Sequence, residues 1–311
     1  MVTTGVLVLL AGCGDGADRE ASTASLTRYL PADSREVATV DFTAVKQQLG
    51  LAADQRLPTY DRLNVDISLQ KDREAEADLY DAAALTVAPL FDPAASNVVA
   101  LGASDRTADP LSKALDTSQI TAAAANETSA EQPVTVIETT QPFDQLASAL
   151  EKVGYRRDGA SLIPRDASSL ELTDAGNGVI VFGGNGLATS ELVTSPPGGP
   201  PAQVSIIEAA KDVVAVAGAV PASSCLRAFG GWHDADGGQG VLRLELSDAA
   251  ASGRLDRNLI DLDGGLEVGT PEADGDAVQL SYSLQHPENS VSPVGDLLQR
   301  TPLKRLYDCD A

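Results

Sequence analysis

Along the chain, apolar and polar positions recur in one order: a short apolar strand, a polar turn, then a stretch with apolar residues at helical spacing. Glu36–Val40 followed by Asp41–Leu49 is the first unit, with Gly50 at the position where a left-handed residue ends a helix. In the second, Asn97–Leu101 precedes a helix capped by Asp109 and opened by Pro110, and Leu111, Ala114 and Leu115 share one face. In the third, Val134–Ile137 leads into Pro142–Val153, where Phe143, Leu146, Leu150 and Val153 form one stripe and Gly154 closes the run. A fourth pairs Ala277–Leu284 with Pro293–Leu303. The units are unevenly spaced, which leaves divergent strand-turn-helix repeats open and gives no solenoid period.

Between the units lie strand and hairpin signals. Leu170–Thr173 and Val179–Phe182 flank Asp174–Gly178, whose Asn177-Gly178 pair suits the positive φ angles of a tight turn. Val241–Leu246 and Leu266–Val268 predict further strands, and Val204–Lys211 a helix before the strand Val213–Val220. Ala122–Pro133, rich in Ala with polar residues and no clear period, predicts an exposed loop or a poorly ordered helix. Helices mixed with several hairpins predict an α+β fold, with mixed or antiparallel sheets and short amphipathic helices. Ser195–Pro201 holds four prolines and two glycines, which neither a helix nor an interior strand sustains, so residues 195–202 predict a linker between subdomains 26–194 and 203–311.

The N-terminus carries a different pattern. Met1–Gly12 is apolar and ends in small residues before Cys13, and Gly14–Ser25 is small, polar and charged, as a flexible tether would be. Leu10-Ala11-Gly12-Cys13 resembles the lipobox of bacterial lipoproteins. That resemblance implies removal of residues 1–12 as a signal peptide, diacylglycerol on the Cys13 sulfur, and a protein held on the extracytoplasmic face of the cell membrane. Two or three acyl chains hold a protein on a bilayer where one does not, because each buried CH₂ adds about 0.8 kcal/mol. An export signal normally opens with basic residues and none precedes this apolar run, so the expectation is that translation starts upstream of Met1. The best later apolar run, Ile206–Ala222, is broken by Glu208, Lys211 and Asp212 and falls short of a membrane span.

With Cys13 acylated, Cys225 and Cys309 remain as a pair in a compartment that permits disulfides, and they are expected to bond. On the chain-entropy model, closing so long a loop contributes somewhat under ~4.7 kcal/mol and pins the C-terminus.

Charge changes the picture of partners. The 311 residues carry 45 acids against 22 bases, a formal net charge of −23. Phosphate backbones are bound by clustered Lys and Arg, so DNA and RNA are excluded as partners. Of the bases, 16 are Arg and six Lys, within long runs of Ala, Gly, Asp and Val; this is the bias of a GC-rich genome, of actinobacterial type, and bears on ancestry more than on mechanism.

Candidate chemistry is sparse. His233 and His286 are the two histidines, in no metal-ligand spacing, and His233 beside Asp234 lacks the nucleophile elbow of a Ser hydrolase. Asp234-Ala-Asp236 and Asp261-Leu-Asp263 open like calcium loops, with Glu245 twelfth from Asp234, but Gly238 and Gln239 occupy positions that need a ligand and a Gly. Turns built from Asp and Gly account for both. Gly183-Gly184-Asn185-Gly186 lacks the residues of a nucleotide loop. Arg156-Arg157 is a small basic spot suited to pairing with nearby acids, and Asn126-Glu127-Thr128 matches a glycosylation acceptor only formally. The expectation is therefore a non-enzymatic envelope module with no metal and no cofactor. It would bind a solute, a wall component or a protein; a lipid or solute carrier with an internal cavity and an extracytoplasmic hydrolase are the alternatives.

Overall fold

The computed structural model describes residues 23–48, 52–54, 111, 114–128, 134–165, 170–183, 188–195, 201, 203–210, 215–219, 226–233, 239–246 and 266–284. Their strands join one antiparallel sheet: β1 (Ser34–Asp41), β2 (Ile120–Thr128), β3 (Val134–Thr139), β4 (Arg156–Asp158), β5 (Ser161–Ile163), β6 (Glu171–Gly176), β7 (Val179–Gly183), β8 (Ala215–Ala219), β9 (Leu226–His233), β10 (Gln239–Leu246), β11 (Leu266–Val268), β12 (Glu272–Asp274) and β13 (Ala277–Leu284). Their order is β11-β13-β10-β9-β8-β1-β2-β3-β7-β6-β5-β4, with β12 also paired to β13. The helices are α1 (Phe42–Gln48), α2 (Phe143–Glu151), α3 (Thr189–Thr194) and α4 (Val204–Ala209). The fold is α+β, as the mixed pattern predicts.

Alternation along each strand builds two apolar layers. Ala38, Val40, Ala123, Ala125, Ile137, Ile180 and Phe182 face one side, where Phe42 of α1, Leu111, Leu115 and the stripe Leu146, Ala147 and Leu150 of α2 cover them. Val37, Ala122, Ala124, Val134, Val136 and Val181 face the other, under Leu26, Tyr29, Leu30, Leu192 of α3 and Ile206 and Ile207 of α4. The centre of the sheet is thus buried on both faces. Strand β3 is accordingly buried at five of its six positions rather than at alternate ones.

Ala122–Pro133 departs from the expected loop or frayed helix: residues 120–128 form β2, between β1 and β3. Ala122 to Ala125 are almost wholly buried. Alanine ranks low among strand formers, but strand preference follows context. Here small side chains suit a strand packed from both sides. The third helix also differs: α2 ends at Glu151, Gly154 takes φ +110°, and Val153, expected on the buried stripe, is 55% exposed in the turn.

The first, third and hairpin predictions correspond to β1–α1, β3–α2 and β6–β7. Asp41 Oδ1 accepts the Ala44 amide at 2.9 Å and so caps α1. The β6–β7 turn places Asn177 at φ 54° and Gly178 at φ 80°, and a Cβ on Gly178 would lie 2.5 Å from the Thr139 carbonyl oxygen. Strands β8, β10, β11 and β13 and helix α4 match predicted elements closely. Asn97–Leu101, Pro110 and Pro293–Leu303 lie outside the described residues. Strand β8, which follows the Pro/Gly stretch, pairs with β1, which precedes it, from Glu36↔Ala219 to Val40↔Ala215.

Candidate functional site

Cys13, Cys225 and Cys309 lie outside the described residues, as do His286, the Asp234–Asp236 and Asp261–Asp263 turns and Gly184–Gly186. His233 ends β9, opposite Gly240 in the ladder. Among the described residues no group of three or more His, Cys, Asp or Glu side chains is placed to hold a metal ion, and no helix is long and apolar enough to cross a membrane.

Asn126 is a structural residue. It is buried in β2, where its side-chain amide donates to Ser34 Oγ at 2.8 Å and its carbonyl oxygen accepts the Val134 amide at 2.8 Å.

Three buried polar groupings hold the fold together. Lys46 of α1 donates from Nζ to the Ala53 and Ser118 carbonyls, both at 2.8 Å, so one ammonium ties two loops to the helix. Burial pushes its pKa below the ordinary 10.5, against the opposing pull of the Asp116 and Asp54 carboxylates. On the other half of the sheet, Arg243 Nε donates to Glu245 at 2.8 Å and its Nη1 to Asp274 at 2.6 Å, while Arg227 reaches Glu245 at 3.2 Å. Burial alone would lower the Arg243 pKa; hydrogen bonds to Asp274 and Glu245 outweigh it and leave the guanidinium more basic than usual. Finally, Ser161, Thr173 and Thr189 form a hydroxyl chain with links of 2.8 and 2.6 Å, and Glu171 Oε1 accepts both the amide and the hydroxyl of Thr189 at 3.0 Å, holding the start of α3.

A cleft forms where the C-terminal end of α2 meets the β4–β5 hairpin. It has a volume of about 560 Å³ and opens to solvent, and Glu151, Tyr155, Arg156, Arg157, Ile163, Pro164 and Arg165 line it. The chain enters through the turn after α2, where Gly154 supplies the positive φ. Tyr155 is buried in the core, and Arg156 and Arg157 follow on β4, opposite Ile163 and Leu162. Leu162 is fully buried, which fixes the hairpin's pleat. Arg156 pairs with Asp158 at 3.2 Å and Arg157 with Asp144 at 2.8 Å, and the Arg157 guanidinium lies 5.8 Å from the centre of the Phe143 ring. The pairing expected of this basic spot is therefore present. Arg165 makes no ion pair among the described residues; its Cδ passes 3.9 Å from where a Gly154 Cβ would stand.

The sequence pattern singled out Arg156 and Arg157 but not Glu151, Tyr155 or Arg165. The usable signal was Asp158-Gly159, a hairpin dipeptide whose Gly159 takes φ +62°. Folding the chain back there brings residue 163 opposite 156 and places Arg165 beside the end of α2.

No family model matches the chain, and no curated protein does. It is similar to solved structures of TP0453. Crystal form III aligns with a TM-score of 0.41 and 8% identity, over 86% of this chain and 98% of that one. Crystal form IV gives 0.41 and 7%, over 86% and 96%. Crystal form I gives 0.40 and 9%, over 93% and 100%.

Proposed function

We propose that the chain is a lipid-anchored module on the extracytoplasmic face of a cell membrane, acting by binding rather than by catalysis. The observation that carries this reading is Leu10-Ala11-Gly12-Cys13 followed by the polar stretch Gly14–Ser25. Leu26, Tyr29 and Leu30 are buried under the sheet and Ala24 packs beside them, so the packed body begins about ten residues along the chain from Cys13. In that compartment Cys225 and Cys309 form a disulfide.

The cleft supports binding over chemistry. Its ionisable lining is three guanidiniums and one carboxylate, besides the Tyr155 phenol. An arginine stays protonated and cannot act as a general base. Detergent phase separation of cell extracts tests the anchor. The wild-type chain enters the detergent phase, and Cys13→Ser moves it to the aqueous phase. Equal partition of wild type and variant overturns the reading.

A further inference from the structure

The geometry points to the cleft beside β4 and β5 as a binding site for a hydroxyl-bearing phosphate ester. A volume of about 560 Å³ lies within the ordinary range of small-molecule sites. Arg156, Arg157 and Arg165 all contribute to its lining, and a planar guanidinium fork matches the paired oxygens of a phosphate.

Two of these arginines already hold carboxylates, but weakly. The Asp158 and Asp144 side chains are 62% and 81% exposed, and ion pairs of that kind contribute about 1 kcal/mol or less. An arriving dianion, with more charge and more acceptor oxygens, exchanges for them. Among the described residues Arg165 makes no ion pair for a ligand to displace. Such an arrangement runs against the composition: in a chain of net charge −23, acids suffice to neutralise every base.

Glu151 refines the ligand class. A carboxylate on the wall of the cleft repels a bare anion but accepts hydrogen bonds from hydroxyls. Ile163 and Pro164 supply a short apolar wall for the carbon skeleton. Together they fit a phosphorylated polyol, either a free ester or the headgroup of a phosphoglycerolipid.

The inference concerns the cleft and does not need the anchor, so the test uses the soluble full-length Cys13→Ser chain. Calorimetric titration with sn-glycerol 3-phosphate at fixed ionic strength is expected to give a dissociation constant of about 1 mM or tighter. Arg165→Gln weakens binding about tenfold, the loss typical of a hydrogen bond to a charged group. Arg35→Gln, at an exposed position on β1, leaves it unchanged. Sedimentation with phosphatidylglycerol vesicles but not phosphatidylcholine vesicles, lost in Arg165→Gln, assigns the headgroup as source; binding of the soluble ester alone assigns a free one. The absence of both interactions, or binding indifferent to Arg165→Gln, overturns the site, and neither result bears on acylation of Cys13.

Discussion

Lys46 shows how one side chain can be both a clamp and a liability. Its ammonium satisfies two loop carbonyls inside the protein, yet burial makes the charge costly there. Because its pKa is lowered on folding, the unfolded chain holds a proton that the folded chain has released, over the interval between the folded value and 10.5. Stability contributed by this group therefore rises with pH through that interval and is level on either side. Lys46→Met should cost about 1 kcal/mol at neutral pH, by removing the donor that the Ala53 and Ser118 carbonyls share, and should abolish the rise. Urea denaturation of both chains from neutral to alkaline pH checks this: the gap between them widens as pH approaches 10.5, and parallel curves would contradict it.

At the scale of elements, β10 and β12 are joined by ions as well as by their common neighbour β13. Glu245 is the centre of that link. Its side chain is 4% exposed and holds Arg243, itself 11% exposed, whereas Arg227 is 58% exposed. Glu245→Ala removes one of the two carboxylates that hold the largely buried Arg243, leaving Asp274, and should destabilise by about 1.5–3 kcal/mol. Arg227→Ala removes an exposed partner and should cost under about 1 kcal/mol. Chemical denaturation of the two variants decides: equal losses would mean that Glu245 is held by something other than Arg243. Elements were legible in the sequence where local signals agree with tertiary context. The spacing of Phe143, Leu146 and Leu150 announces α2, although Val153, read into the same stripe, falls in the turn beyond it, and Asn177-Gly178 announces the β6–β7 turn. Strand β2 was illegible because its alanines signal neither period nor strand preference; its burial comes from neighbours far away in the chain. The candidate cleft was half legible, since Arg156-Arg157 stands out but Arg165 joins it only through the β4–β5 hairpin.

For the whole molecule, the pairing of β1 with β8 determines the architecture. It joins the strands drawn from residues 34–183 to those drawn from residues 215–284 along one ladder. Strand order of this kind has no local code: every β8 residue is compatible with many neighbours, and only the assembled layers select β1. The α+β class was readable from the chain, because it follows from element types alone. Placement of the molecule in the cell rests instead on thirteen residues at its start. Trypsin releases the relevant piece, since Arg19 is the first basic residue after Cys13. Mass spectrometry of that N-terminal peptide from cell membranes should find a chain beginning at Cys13 and carrying a thioether-linked diacylglycerol. An unmodified peptide running from Met1, or from further upstream, through Cys13 to Arg19 would contradict the account.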